Sequence, residues 1–319
     1  MSALMSKLLT IIVPMYNVGE YLEECISHIR IKDIDYEILM VNDGSPDNSL
    51  SIANKLADSN SKIRVISQKN KGLGGARNTG IKSATGKYLL FLDADDFLMT
   101  TDFSFLRNCE DDIIEFSAQL ISMNNKILKS IQISEVSKLS GIDYLTQYNI
   151  LPSACNKMYK RDFLLENNLF FKEKIYSEDI HLNSRAYFLA KAVASHAEVL
   201  QQFRQSPNSI TRNSDTEKKQ KMYDDLNFIF NDIVSFKNTY AKDDQAIEYF
   251  NCILSYLGIS LINFSLVNNK DASKVFYYLK KNKILNKKYN LDFRKNLFRK
   301  AISLPFGLEF LKLTYGKRK

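Results

Sequence analysis

Two hydrophobic rhythms alternate along the first hundred residues. Residues 8–16, LLTIIVPMY, form an unbroken apolar run of strand length. Residues 18–30 then place Val18, Tyr21, Leu22, Cys25, Ile26 and Ile29 at helical spacing. YEILMVND (36–43) predicts a second strand, and the helix after it, running to about Ala57, can be capped by Ser45 or Asp47. KIRVISQ (62–68), GLGGARNTGIKSA (72–84) and KYLLFLD (87–93) continue as strand, helix and strand. This pitch predicts βαβ units and a mostly parallel sheet with helices on both faces. In such sheets ligands sit beyond the carboxyl ends of the strands. The polar clusters PMYN, NDGSPD, NKGLGG and DADD all fall at those ends.

Further on, DIIEFSAQLI (112–121) and KILKSIQI (126–133) predict two strands joined as a hairpin around Asn124–Asn125. From about Asp215 strand-like runs stop. MYDDLNFIFNDIVSF, AIEYFNCILSYLGISLINF and ASKVFYYLKKN instead repeat apolar residues at three and four. The expected organisation is an α/β domain over residues 1–212 and a helical region over 213–319.

Composition changes this picture little. The 319 residues are 45% apolar and 25% charged, as in an ordinary soluble globular protein. Four cysteines stand far apart without a CxxC pair, which suits reduced thiols in a cytoplasmic compartment better than a disulfide framework. The three histidines do not cluster with them, which argues against a zinc site. The apolar run before Pro14 is too short for a membrane span and has no small-residue cleavage site. Charge is more informative. The net charge is +8, but residues 280–319 carry thirteen Lys/Arg against Asp292 and Glu309, a net +11 that leaves −3 on the rest.

Candidate chemistry gathers at the strand ends. GLGGAR puts Arg77 where the third glycine of a dinucleotide-binding GxGxxG belongs, and it follows the third strand, not the first. GxxxxGK[ST] is absent, which excludes a P-loop. These glycines read as a turn with close helix packing, and Arg77 as the partner of a phosphate or of nearby acids. NDGSPD is locally a turn, yet Asp43 ends a strand where ligand contacts fall. LLFLDADDF crowds Asp93, Asp95 and Asp96 at another strand end. Like charges about 4 Å apart repel by roughly 4 kcal/mol at an effective dielectric near 20. Either these acids fan out into water or they surround a cation. Asp179, in YSEDI before IHLNSRAYFLAKA, reads locally as a helix N-cap.

Taken in order, TIIVPMYN, ILMVNDGSPDNS, NKGLGGARNTGIKSATGKYLLFLDADD, SACNKMYKRDFL, YSEDI and FRQSPNSIT resemble the family 2 glycosyltransferases with a GT-A fold. These are inverting, nucleotide-sugar-dependent enzymes of bacterial polysaccharide assembly. The resemblance spans roughly residues 8–212 and leaves the tail uncovered. It implies that Pro14, Tyr16 and Asn17 lie beside the nucleotide, that Asp43 hydrogen-bonds a uracil ring, and that Asn70 and Arg77 lie near base, ribose and diphosphate. It further implies that Asp93 sits near the ribose, that Asp95 ligates Mn²⁺ or Mg²⁺, and that Asp179 is the catalytic base with Glu178 beside it. His181 either completes a metal shell, contacts phosphate or is a helix residue. Arg204 and the segment 209–211 match a family stretch of less defined role. Cys155 stands where the family often has an aromatic.

The expected activity is transfer of a hexose or N-acetylhexosamine from a UDP-sugar to a glycan or lipid-linked acceptor, in cell-surface polysaccharide synthesis. The rival classes are an inactive sugar-nucleotide-binding scaffold and a metal-dependent nucleotidyltransferase; the latter would want a Gly-rich, basic first loop, which PMYNVGEY is not. The basic tail alternates Lys/Arg with Leu, Phe, Ile and Tyr and is broken at Pro305. It reads either as an interfacial helix docking on anionic lipid at the inner face of the plasma membrane, or as a solvated face packed on the protein. It lacks the features of a nucleic-acid module.

Overall fold

In a computed structural model of the chain, strand β1 (Leu9–Met15) is buried at every residue. Its unbroken apolar run requires that, since helices cover both faces of the sheet. The structure describes residues 7–148, 151–205, 215–287, 289 and 291–316. After β1 come α1 (Gly19–Ser27), β2 (Tyr36–Asn42), α2 (Ser49–Ser59), β3 (Ile63–Ser67), α3 (Gly72–Ser83) and β4 (Tyr88–Phe91). They are followed by β5 (Phe97–Leu98), β6 (Ile113–Ile121), β7 (Ile127–Ile131), β8 (Val136–Leu139), α4 (Gly141–Gln147) and β9 (Lys157–Lys160). Then come α5 (Arg161–Glu166), α6 (Glu178–Leu189), β10 (Val193–Arg204), α7 (Thr216–Tyr240) and α8 (Asp244–Val267). Helices α9 (Ser273–Lys281), α10 (Phe293–Ser303) and α11 (Gly307–Gly316) end the described chain. It divides into two compact units, Met1–Ser140 with Ser153–Ser209, and Gly141–Pro152 with Ile210–Lys319.

The first unit is one sheet in the order β3-β2-β1-β4-β9-β6-β10-β5, with β7 beside β6 and β8 beside β10. Strands β3, β2, β1 and β4 are parallel, as are β6 and β10, while β9 runs against both β4 and β6. From β1 the chain moves outward through β2 to β3 and then crosses to β4 on the other side of β1. The topological switch point, where such sheets open a crevice, is therefore between β1 and β4. The register agrees: β1 pairs with β2 up to Met15↔Asn42, but with β4 only up to Ile12↔Phe91. Pro14 lies beyond the last β4 partner, so its missing N–H leaves no ladder bond unmade there.

Close packing seats α3 on this crevice. A Cβ on Gly80 would lie 2.4 Å from Ile12 Cγ2, so only glycine lets the helix approach β1 this closely. Arg77, one turn earlier, thereby reaches the end of β4.

Several local details differ from expectation. Asn48, not Ser45 or Asp47, occupies the N-cap of α2 and makes no side-chain cap bond. Asp47 instead ties two helix starts together. Its Oδ1 accepts from the Ser49 N–H (3.2 Å) and hydroxyl (2.6 Å), and its Oδ2 accepts from the Gly19 N–H (2.9 Å) at the start of α1. The β6–β7 hairpin forms as expected, with Asn125 left-handed at φ 57° in its turn. Strands β8, β9 and β10 had no clear hydrophobic signal. Residues 141–152, which the sequence pattern leaves with the α/β domain, group with the C-terminal helices.

The second unit is helical. On α7, Met222, Leu226, Ile229, Phe230 and Ile233 form one buried stripe, and α8 is buried on nearly all sides. α8 is long and apolar enough to cross a membrane, yet 67% of its most apolar stretch is buried inside the protein, as in a core helix. Asp215, Asp243 and Asp292 cap α7, α8 and α10, each accepting backbone N–H groups of its own first turn. The tail breaks between α10 and α11 around Pro305 and Phe306, the latter left-handed at φ 59°.

Candidate active site

Each parallel strand flanking the crevice delivers polar residues where its apolar run stops. At the end of β1, Pro14 is buried, Tyr16 is 52% exposed and Asn17 turns the chain at φ 56°. The Ser45 hydroxyl donates to the Met15 carbonyl (3.2 Å), tying the ends of β1 and β2 together. Just past β2, Asp43 is 2% exposed, and its Oδ1 accepts from Gln68 Nε2 (2.6 Å) and the Lys71 N–H (2.8 Å). Thr79 in turn holds Gln68 from α3. Asn70 is exposed and accepts the Gly72 N–H (3.2 Å), shaping the turn into α3, where Gly72 needs its positive φ of 76°.

The acids after β4 have three different environments. Asp93 pairs with Arg77 Nη2 at 2.9 Å. Asp96, 6% exposed, accepts the Arg204 N–H at 2.7 Å, and burial together with Asp95 and Asp93 pushes its carboxyl well above the usual range. Asp95 has no ion-pair partner among the described residues. Burial, then the charge of Asp93, pushes it up to about 6, against opposing pulls from its own backbone N–H and Arg204. An acid raised by burial and by a like charge is the kind a cation would relieve.

Arg77 is the hub. Its side chain is 1% exposed, with Phe91 and Phe171 rings 5.8 and 5.2 Å from the guanidinium carbon. Nη1 donates to Glu178 Oε1 (2.9 Å) and Asp179 Oδ1 (2.6 Å), while Nη2 donates to Asp93 and to Cys155 Sγ (3.5 Å). Desolvation pulls its pKa down, but Asp179, Asp93 and Glu178 overcome this and raise it above its ordinary value. Of the two partners the sequence allows for Arg77, phosphate or acids, these contacts are with the acids.

Asp179 does not cap its helix. Ser177 holds the N-cap position in a left-handed conformation (φ 61°) without a side-chain cap bond, and Asp179 is the second residue of α6. Its Oδ2 accepts the Ala154 N–H (3.0 Å), and the side chain remains 21% exposed. Glu178 beside it is buried, and burial followed by the Asp179 charge pushes it up to about 7, with Arg77 opposing.

Arg204 and His181 stand apart from this hub. Arg204 donates to Glu24 Oε2 (2.8 Å) and stacks over Phe97 at 4.4 Å. His181 is buried on α6, and its carbonyl accepts from the Ser184 hydroxyl and Arg185 Nη1. Among the described residues no three His, Cys, Asp or Glu side chains converge to cage a metal. Residues 209–211 lie outside the described residues. The contacts of Ala154 and Cys155 with the hub had no sequence signal, because a backbone N–H and a lone thiol carry none.

Comparison with known proteins adds an independent line. The family model described as glycosyl transferase family 2 matches residues 10–164. The "Uncharacterized glycosyltransferase EpsJ" of Bacillus subtilis (strain 168) is 34% identical over 270 residues, covering 77% of this chain and 74% of that protein. S. aureus TarS 1-349, solved in complex with UDP-GlcNAc, shares the fold with a TM-score of 0.65 at 16% identity over 97% of this chain and 92% of its own. The mannosyltransferase PcManGT of Pyrobaculum calidifontis, solved with GDP-Man and Mn²⁺, gives a TM-score of 0.57 at 14% identity, covering 99% and 89%.

Proposed function

Since the chain belongs to glycosyl transferase family 2 and is a glycosyltransferase, we propose that it moves a hexose or N-acetylhexosamine from a UDP-sugar to a glycan or lipid-linked hydroxyl, inverting the anomeric carbon. The observation that carries this reading is the buried guanidinium of Arg77, which holds both Asp93 at the end of β4 and Asp179 at the start of α6.

In this reading Asp43, buried and fixed by Gln68 and the Lys71 N–H, faces the uracil ring, with the exposed Tyr16 and with Asn17 and Asn70 around base and ribose. Asp93 meets the ribose. The donor set suits a hard divalent cation: carboxylate oxygens, with Asp95 raised by burial and without an ion-pair partner among the described residues. Mn²⁺ or Mg²⁺ held by Asp95 would supply positive charge to the departing diphosphate. Asp179 takes the proton of the acceptor hydroxyl as that oxygen attacks opposite the leaving nucleotide. Both of its oxygens already accept one hydrogen bond, which orients the carboxylate, and each keeps a lone pair for the acceptor.

Base selectivity tests the donor assignment. With Mn²⁺ present, UDP should raise the melting temperature more than GDP or CMP at equal concentration; a ligand at a hundred times its Kd stabilises by about 2.7 kcal/mol. GDP protecting more than UDP would show that Asp43 does not read uracil.

The tail supports docking on an anionic bilayer from the cytoplasmic side. On α10, Phe293 (81% exposed) and Leu297 (58%) share a face, Leu304 (63%) and Phe306 (81%) stand exposed just past the helix end, and Arg294 and Lys300 are exposed on the same helix. Replacing all four apolar residues by Ser should leave UDP binding intact. It should reduce cosedimentation with phosphatidylglycerol vesicles by about tenfold or more, since each buried Leu or Phe is worth roughly 1.5–3 kcal/mol. Unchanged cosedimentation would place the docking surface elsewhere.

A further inference from the structure

We infer that Lys157, paired with Glu115, is a positioning residue that holds the peptide group presented to Asp179. The inference rests on the reading of Asp179 as the base and adds a residue to that machinery.

Lys157 and Glu115 are an ion pair at 2.9 Å, with side chains 0% and 1% exposed. Removing two ions from water costs so much that a buried pair contributes little net stability on its own. What it does contribute is fixed geometry, and here every donor of the ammonium is committed. Lys157 Nζ donates to Glu115 Oε1, to Asn156 Oδ1 (2.8 Å) and to the Ser153 carbonyl (2.8 Å). Glu115 is held in turn by the Tyr187 hydroxyl on Oε2 (3.0 Å) and by Asn156 Nδ2 on Oε1 (3.3 Å).

The Ser153 carbonyl and the Ala154 N–H are the two ends of one peptide group. Across a trans peptide the C=O and N–H bonds point in opposite directions with their dipoles aligned. Lys157, with Asn183 Nδ2 at 3.4 Å, grips the oxygen end, and the N–H end donates to Asp179 Oδ2 at 3.0 Å. A cation on the carbonyl both fixes the plane and polarises the amide, so the N–H donates more strongly. Arg77 fixes the other carboxylate oxygen from the opposite element, α3. Asp179 is therefore clamped on both sides, once directly by a cation and once by a cation acting through a peptide. The other ionisable groups near it are Glu178, Cys155, Tyr159 and Asp93.

The test uses full-length enzyme with Mn²⁺ and UDP-sugar. Lys157→Met alone strands the Glu115 carboxylate in the core and can fail to fold, so the informative variant is Glu115→Gln with Lys157→Met, which removes both charges at similar volume. In it kcat should fall roughly ten- to a hundredfold, the scale of a small misplacement of a reacting group, while KM for the donor stays within about twofold of wild type. The Ala154 amide proton, followed by ¹⁵N NMR, should move upfield as its hydrogen bond weakens. An Ala154 resonance that does not move, or one that moves with kcat unchanged, overturns the inference. Asp179→Asn, run alongside, keeps the two readings apart. If Asn at 179 retains full transfer, the base assignment falls, while the Ala154 shift still decides whether Lys157 holds that peptide.

Discussion

Asp179→Asn should lower transfer by about 10²–10⁴, the usual worth of positioned proton transfer, while leaving UDP binding almost unaltered. The amide keeps one oxygen to accept the Ala154 N–H or Arg77, but it is not basic near neutral pH. Arg77 retains Asp93 and Glu178 as counter-charges, so the fold keeps its hub. A cap role would predict a loss of a few tenths of a kcal/mol and a rate near wild type, and the geometry does not support a cap, since Asp179 already lies inside α6. The checks are steady-state transfer, a melting curve and NMR of the fresh product, which should show inversion at the anomeric carbon. A variant with half the wild-type rate or more would return Asp179 to a structural role and direct attention to Glu178.

Arg77→Met should be strongly destabilising. It keeps much of the volume between Phe91 and Phe171 but leaves Asp93, Glu178 and Asp179 without their shared cation. Breaking a buried pair on one side costs about 3–5 kcal/mol, because the stranded charge has lost both water and partner. At this size that corresponds to a melting temperature roughly 10 °C lower.

The pH dependence has a definite sign. Glu178 is already raised to about 7 in the native state, by burial first and Asp179 second, and losing Arg77 removes the group that opposes that rise. A carboxyl with a raised native pKa keeps a proton that the unfolded chain has lost, so stability falls as pH rises through the window from the ordinary carboxylate range to about 7 and beyond. The deficit of Arg77→Met should therefore shrink as pH is lowered from 7.5 towards 5, followed by denaturant melts. A deficit that grows on acidification would mean that the three carboxylates do not depend on Arg77.

What was legible from sequence follows from burial. β1, β2 and β4 are covered on both faces, so each is an unbroken apolar run, and any acid directly after such a run is conspicuous. Asp43, Asp93 and Asp95 could be found that way. The long helices α7 and α8 are legible because each is much longer than one period of its apolar pattern. β9 is not: its four residues, KMYK, include a buried lysine that reads as surface. β10 is broken by register shifts around His196, Val199 and Gln201, which destroy the alternation a strand needs. The hub was only half visible. Arg77 could be flagged as the partner of a phosphate or of nearby acids, but its partners Glu178 and Asp179 lie 101 and 102 positions away, and nothing local connects them.

The proposed reaction is metal-dependent cleavage of a UDP-sugar at a site built on Asp95, Asp93 and Asp179. The most direct measurement is UDP release from a panel of UDP-sugars by the full-length protein, with Mn²⁺ and then with excess EDTA, repeated for Asp95→Ala. The expected result is release from at least one UDP-sugar with Mn²⁺, abolished by EDTA and nearly absent in Asp95→Ala. Full turnover in EDTA, or a wild-type rate in Asp95→Ala, would contradict it.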